Sequence, residues 1–350
     1  MPLLTTTIGA FPKPAYVPVP DWFRQGGAGF ETPTAAYQRY LRNQPGDIEE
    51  ILDRGTREVV AAQVAVGIDI PTDGEVRREN YIHYHCRHMA GIDFSRLTRR
   101  VSRQGAWVAD LPTVVAPIRS RGHFLPRDFR VAQAVTDRPV KITVPGPMTV
   151  ADSIADAYYG DDRRLGAALA EALNREIRAL AEAGCRWIRV DEPLFARRPD
   201  EALDYGFENL ERCFHGLPKG VMRAAHMCCG YPDRLDQQDF QKADRDAYFR
   251  LADAIEDSSI QAISLEDAHR PNDLLLLERF RETTVMLGVI AIASSRLETV
   301  AEIRRRLREA LAHIDGRRLM AAPDCGLGFL DRDLALAKLA NMVAAARSAA

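Results

Sequence analysis

The stretch His226-Met227-Cys228-Cys229 sets an imidazole and two thiols within four residues. The whole chain holds only six cysteines: Cys86, Cys185, Cys213, Cys228, Cys229 and Cys325. Imidazole nitrogen and thiolate sulfur are the donors that zinc prefers in a tetrahedral site. On an extended backbone, residues two apart point to the same side. His226 and Cys228 therefore face together, and Cys229 faces away as a packing residue. Glu266, in "SLED", and Cys325, in "PDCG", end two later apolar runs. One histidine, two cysteines and one glutamate gathered from separate strands suit a catalytic metal better than the local C-x₂-C knuckle of a structural one. Carboxylates recur at similar places: Asp73 and Glu75, Asp191 and Glu192, Asp267, and Asp324. Plainer roles stay open to each. A strand-end cysteine is commonly a small buried hydrophobe, a rim glutamate a solvated or ion-paired group, and Asp191-Glu192-Pro193 a cap on the next segment. Against them stands the coincidence, since independent packing has no reason to bring His, Cys, Glu and Cys to one rim.

Such convergence needs a scaffold. Eight short, β-prone runs recur at 3–8, 67–73, 140–147, 185–193, 220–228, 259–267, 284–292 and 317–326. Most are continuously apolar, as in strands buried on both faces of a parallel sheet. Helical patterns lie between them. Residues 47–66 open on Asp47 as a cap with acidic residues in the first turn, and Gly67 stops them. Residues 163–183 and 296–314 and the last twenty residues repeat the pattern. Eight strands alternating with helices predict an α/β (β/α)₈ TIM barrel, one domain over 1–350. Two long connections, 9–46 and 85–138, read as insertions after the first and second strands, the first across one mouth and the second an excursion hairpin. An eight-stranded open sheet is the rival, but "TIGAFPKP" lacks the G-x-G-x-x-G of a phosphate loop. In a barrel of this kind the chemistry sits at the C-terminal ends of the strands, where the polar residues above are placed.

Composition narrows the class. The chain of 350 residues is 46% hydrophobic and 27% charged, with a net charge of −2. Those are the proportions of a globular protein, and the balance disfavours nucleic acid as a partner. "MPLLTTTIGAFPKP" is no secretory signal, and no apolar run reaches membrane-spanning length. Sparse, irregular cysteines fit a reducing cytoplasm with free thiols.

The motifs "TTTIGAFPKP", "TDGEVRREN", "GPMTVADS", "EAGCRWIRVDEP", "HMCCG", "ISLEDA" and "APDCGLGF" come in order along nearly the whole chain. In combination they resemble the cobalamin-independent methionine synthase family, in its catalytic C-terminal barrel. The resemblance implies zinc held by His226, Cys228, Glu266 and Cys325. It implies homocysteine as the thiol, its amino-acid end bound at Glu75 and Asp191, with Ile8 and Ala10 matching further substrate-binding positions. The implied reaction is thiol S-methylation through a zinc-held thiolate, giving methionine.

Three departures from the family pattern, the last with an added substitution at Ala10, bear on the methyl donor. Full-length members carry two barrels, and 350 residues hold one. Ala293 stands where folate-using members place a histidine thought to protonate the departing folate, and Ala291 stands at the adjacent aspartate position. Ser153 replaces an indole expected to stack on folate, and Ala10 replaces a serine. Without an acid, tetrahydrofolate is a poor leaving group. The sequence therefore points to a methylated corrinoid, free or on a corrinoid protein, or to another non-folate donor. A neighbouring reading keeps the zinc thiolate and changes the electrophile, as in epoxyalkane:coenzyme M transferases, with Arg77, Arg78 or Arg270 for the sulfonate. Two readings lie in other classes: a metal-free enzyme like uroporphyrinogen decarboxylase, and a non-catalytic binding protein.

Overall fold

The computed structural model describes residues 2–19, 33–102, 107–230, 232, 234–237 and 239–349. The expected connection 9–46 runs through 20–32, and the expected excursion 85–138 through 103–106; both stretches lie outside the described residues.

The first strand, β1, is Leu4–Thr5. Two long strands, β2 (Met89–Ser102) and β3 (Trp107–Ser120), pair antiparallel, and β3 also carries the short β5 (Ala155–Asp156) in a separate three-stranded sheet. The remaining strands are β4 (Lys141–Pro145), β6 (Trp187–Asp191), β7 (Met222–Met227), β8 (Ala262–Leu265), β9 (Thr284–Ile290) and β10 (Leu319–Pro323). With β1 they form one parallel sheet in the order β1-β10-β9-β8-β7-β6-β4. The run expected as a strand at 67–73 contributes single bridges instead: Ile70 to Thr6 beside β1, and Thr72 to Lys141 in β4. Asp69 and Ile70 donate to the Thr5 carbonyl, and Lys141 donates to that of Pro71. The short segment therefore hydrogen-bonds toward both edges of a curled sheet.

The curl leaves an inner face and an outer face. Ala224, Ala262, Met286, Met320 and Ala322 pack inside with Ile8 and Ile70. Their strand neighbours Ala225, Ile263, Val285 and Ala321 belong to the larger core under the helices, as a period of two requires. Small alanines leave interior room, which polar residues share: Lys141, fully buried, donates to Thr6 Oγ1 at 2.7 Å.

The helices form where expected, with ends that differ. Ile48–Ala65 begins after Asp47, but that side chain makes no capping hydrogen bond. Asp162–Glu182 is capped by Asp161, which accepts from the Arg164 amide at 2.8 Å. The helix expected over 296–314 spans Val300–Ala310, because Thr299 and Glu302 make a reciprocal capping box that fixes its start. No helix among the described residues is long and apolar enough to cross a membrane.

Candidate functional site

All strands of a parallel sheet end on the same side, so β6, β7, β8 and β10 deliver their last residues to one mouth. His226 is the last but one residue of β7 and Cys228 lies just past its end, Glu266 follows β8, and Cys325 follows β10. The donor atoms of His226, Cys228 and Cys325 lie within 4.8 Å of one another. Cys228 Sγ donates to Glu266 Oε1 at 2.8 Å, so Glu266 adjoins the three without sharing their point of convergence. The Cys325 thiol, hydrogen-bonded to Cys228, and burial raise the Cys228 pKa well above that of an ordinary thiol. Burial first, then the neighbouring Cys228, raises the Glu266 pKa. Cys229 joins the apolar core beside Tyr248.

This donor set fits a metal. Burial, then the positive charges of Arg189 and Lys141, lower the His226 pKa well below its usual value, so the ring is neutral. Its Nδ1 lies 3.1 Å from Ser264 Oγ, and its buried Nε2 has no partner. With Nδ1–H donating outward, the Nε2 lone pair is free, the usual arrangement of a histidine ligand. Glu266 Oε2 is also buried without a hydrogen bond. One nitrogen and two sulfurs, with a carboxylate oxygen beside them, are the donor chemistry of zinc.

Beside this cluster stands a carboxylate half. Asp191 ends β6 in register with His226 on β7, and neighbouring strands lie about 4.8 Å apart. Arg189, two residues back on the same strand face, grips Asp191 through Nε at 2.6 Å and Nη2 at 2.9 Å. The same Nη2 donates to the Ile8 carbonyl at 3.3 Å. Glu75 accepts from Thr143 Oγ1 at 2.7 Å and lies 3.6 Å from Arg78; burial raises its pKa, against Arg78 and Thr143, which lower it. Glu75 has φ +56°, an uncommon conformation for a side-chain-bearing residue. A Cβ on Gly9 would stand 2.6 Å from Glu75 Oε1, so only glycine allows this approach. Ala10 is tied through its carbonyl to the Leu327 amide at 2.7 Å, which draws the first motif against the Cys325 loop. Arg189 thus joins Ile8 to Asp191, Glu75 is held by Thr143 and Arg78, and Ala10 contributes a backbone contact.

Other rim carboxylates serve the scaffold. Glu192 accepts from the Met148 and Thr149 amides and from Thr149 Oγ1, fastening the start of the helix Pro147–Asp152. Asp324 accepts from the amides of Asp267, Ala268 and His269, and Asp267 is held by Arg306. Three residues that sequence reasoning passed over matter here. Arg189 was visible as a cation inside an apolar run. Lys242, 3.6 Å from Glu266, sits in an irregular loop that carries no periodic signal. Tyr81 is the third: burial and the charges of Asp191, Cys325, Glu75 and Cys228 raise its pKa well above 10.0, which sets its hydroxyl in the field of both halves.

The basic residues considered for a sulfonate are already paired with groups of the protein, Arg78 with Glu75 of the carboxylate half among them. Arg77 pairs with Glu49, Asp53 and Asp128, Arg78 with Asp73 and Thr143, and Arg270 with the Ala243 carbonyl. Near the two alanines, the Ala293 amide donates to His269 Nε2 at 3.2 Å, and burial lowers the His269 pKa to about 4. The His269 ring is therefore neutral at pH 7 and accepts from the Ala293 amide.

Comparison with known proteins gives consistent relatives. A family model described as the catalytic domain of cobalamin-independent synthase matches residues 3–348. A methionine synthase from Thermococcus kodakarensis is 29% identical over 346 residues, covering 98% of this chain and 92% of that protein. A methionine synthase from Sulfolobus acidocaldarius is 26% identical, covering 97% and 90%. The solved structure of a B12-independent methionine synthase from Shewanella sp. W3-18-1, in complex with selenomethionine, superposes with a TM-score of 0.85 at 30% identity, covering 99% of this chain and 97% of that one. Its description as B12-independent weighs against the methylated corrinoid, or corrinoid protein, that the sequence led us to expect. Family match and fold agree, and this chain belongs to the cobalamin-independent synthase catalytic-domain family.

Proposed function

We propose that this chain is a zinc-dependent methyltransferase that methylates the thiol of homocysteine to give methionine, using a methyl donor other than folate. The observation that carries it is the convergence of His226, Cys228 and Cys325 within 4.8 Å around an imidazole nitrogen left without a partner. The named activity of the relatives and the selenomethionine in the Shewanella structure, a selenium analogue of the product, support the choice of thiol.

His226, Cys228 and Cys325 would hold the metal, with Glu266 as the adjoining fourth donor. Bound zinc supplies the charge that keeps a substrate thiol ionised at neutral pH, where a free thiol with a pKa of about 8.5 is mostly protonated. Asp191, in register with His226, and Glu75 receive the ammonium by charge-assisted hydrogen bonds, and the Ile8 carbonyl adds an acceptor. Arg189 orients Asp191, and Thr143 orients Glu75, before substrate arrives. The thiol proton leaves to solvent, and the S–CH₃ bond forms as the methyl group's bond to the donor breaks. With alanine at 291 and 293 and a neutral His269, the side chains of this corner offer no proton to a departing folate, so the donor must carry a group that leaves without one. We further read the segment 69–72, bridged toward both sheet edges, as closing the sheet into a single (β/α)₈ domain, with β2 and β3 as the excursion after its second strand.

Metal content and a donor panel test this. Purified protein should carry about one zinc per chain and form methionine from homocysteine with a non-folate methyl donor. A folded, metal-free protein would remove the zinc. Methionine from methyltetrahydrofolate alone would overturn the donor assignment, and an epoxide-driven alkylation would restore the coenzyme M transferase reading.

A further inference from the structure

At the far end of the sheet from the mouth, where β7 and β8 begin, lies a cavity of about 360 Å³. That is within the size range of small-molecule sites. Its walls come from the helix Phe207–Phe214 and the turn after it, from Arg223 at the start of β7, and from Ser259 ahead of β8. Arg223 shares the outer side of its strand with Ala225, so its side chain faces the helices and not the inner face. The backbone there is fixed. The Arg223 amide donates to Gln261 Oε1 at 3.2 Å, and its carbonyl accepts from the Gln261 amide at 2.8 Å. Yet Arg223 Nε and Ser259 Oγ are both buried with no hydrogen-bond partner among the described residues. Two donors shut away from water call for an acceptor. The acids in the same wall are already engaged: Glu208 accepts from Arg212, and Glu211 Oε1 accepts from the Ser259 amide at 2.6 Å.

We propose that this cavity is a second binding site, in which Arg223 and Ser259 hold the carboxylate of a small molecule with a short apolar tail. The arginine fork matches a carboxylate in shape and charge. Two arginines and two glutamates line the cavity, so their formal charges cancel. A singly charged group is therefore favoured over a phosphate dianion, whose second charge would meet Glu208 and Glu211. Phe214 and Leu217 supply an apolar surface for the tail. The cavity lies at the opposite strand ends from His226 and Cys228, so the site stands whether or not the zinc reading does.

Butyrate is the probe. Titrated into the full chain and followed by NMR line broadening of its methyl group, it should bind with a dissociation constant on the order of a millimolar. Inorganic phosphate should bind about tenfold more weakly. Arg223→Met should weaken butyrate binding about tenfold, and Ser259→Ala about threefold. Crystals soaked in butyrate should show its carboxylate against both side chains. Both variants should keep the metal content and methionine formation of the parent, because neither residue reaches the mouth. Arg223→Gln supplies the same test if the Met variant folds poorly. L-2-aminobutyrate adds an ammonium to the same tail and separates two sources of the carboxylate. Tighter binding than butyrate identifies an amino acid, its ammonium met by Glu211, and weaker binding identifies a simple acid. Butyrate that fails to bind the parent, or binds the Arg223 variants equally well, would overturn the site. So would phosphate bound by the parent as tightly as butyrate.

Discussion

The two halves of the mouth are finished to different degrees. In the carboxylate half, Asp191 is gripped at both oxygens by Arg189, and Glu75 is held by Thr143. In the thiol half, His226 Nε2, Glu266 Oε2 and Lys242 Nζ are buried with no hydrogen-bond partner. Leaving a buried polar group unsatisfied costs about 1–3 kcal/mol. The carboxylate side is thus the more fully hydrogen-bonded of the two, and the thiol side leaves buried polar atoms open. Two arginine nitrogens are exceptions, Arg189 Nη1 and, on the arginine beside Glu75, Arg78 Nε, both buried and unpaired.

The sharpest way to break this contrast is to remove one converging donor. His226→Ala, Cys228→Ser or Cys325→Ser should each reduce zinc content to near zero and activity by more than about a hundredfold, since even weakening the support of a ligand costs up to that much. Metal analysis alongside methionine formation checks it. Full zinc occupancy in His226→Ala would show that the unpartnered nitrogen is not waiting for a metal.

Next in size is the seam. Arg189 is fully buried, and Arg189→Met would strand the Asp191 carboxylate beneath the mouth. Breaking a buried pair by removing one partner costs about 3–5 kcal/mol. The variant should lose roughly that stability in denaturant melts and raise KM for homocysteine, yet keep its zinc. Zinc loss on the same scale as in His226→Ala would mean that the two halves are one unit.

How much of this was legible follows from the physics of each signal. Continuous apolar runs marked the strands because burial on both faces leaves a local trace. The His-x-Cys spacing carried its own geometry, since alternate residues on a strand share a side. The segment 67–73 read as a strand but supplies only single bridges, because its pairing depends on both sheet edges and not on its own composition. Helix ends were set by contacts such as the Thr299–Glu302 box, a signature present as "TVAE" but overlooked in favour of the longer periodic stretch. The Lys242–Glu266 approach was invisible: it joins a patternless loop to a strand end 24 residues away in sequence.

A third test probes, by pH, a buried scaffold carboxylate next to Asp191. Burial, against hydrogen bonds from Thr149 and Met148, raises the Glu192 pKa from 4.5 to about 7. The folded state therefore holds the proton more tightly than the unfolded one. Stability from this source is full below pH 4.5 and is lost as pH rises through about 7, a change worth about 3 kcal/mol. Glu192→Gln lacks this dependence. Apart from a constant offset for altered hydrogen bonds, the parent should lose ground to the variant between pH 5 and 8 in denaturant melts. Parallel curves would mean that the capping amides keep Glu192 ionised throughout.

The smallest effect should come from the cysteine next to the site. Cys229 is one residue from Cys228, yet it faces the core beside Tyr248, and burial raises its pKa to about 12. At neutral pH it is a protonated, inert thiol. The Tyr248 hydroxyl donates to the Met227 carbonyl at 2.6 Å and accepts from the Glu266 amide at 3.2 Å, bracing the ends of β7 and β8. A serine at 229 would trade a weakly polar sulfur for a hydroxyl needing a partner in that packed layer, at a cost of about 1–2 kcal/mol. Cys229→Ser should thus melt slightly earlier, keep its zinc, and keep most of its methyl transfer. Because the two cysteines differ only in which side of one strand end they face, the pair isolates orientation from chemistry. If Cys229→Ser lost its metal while Cys228→Ser retained it, the strand-end geometry from which the thiol half is built would be assigned the wrong way round.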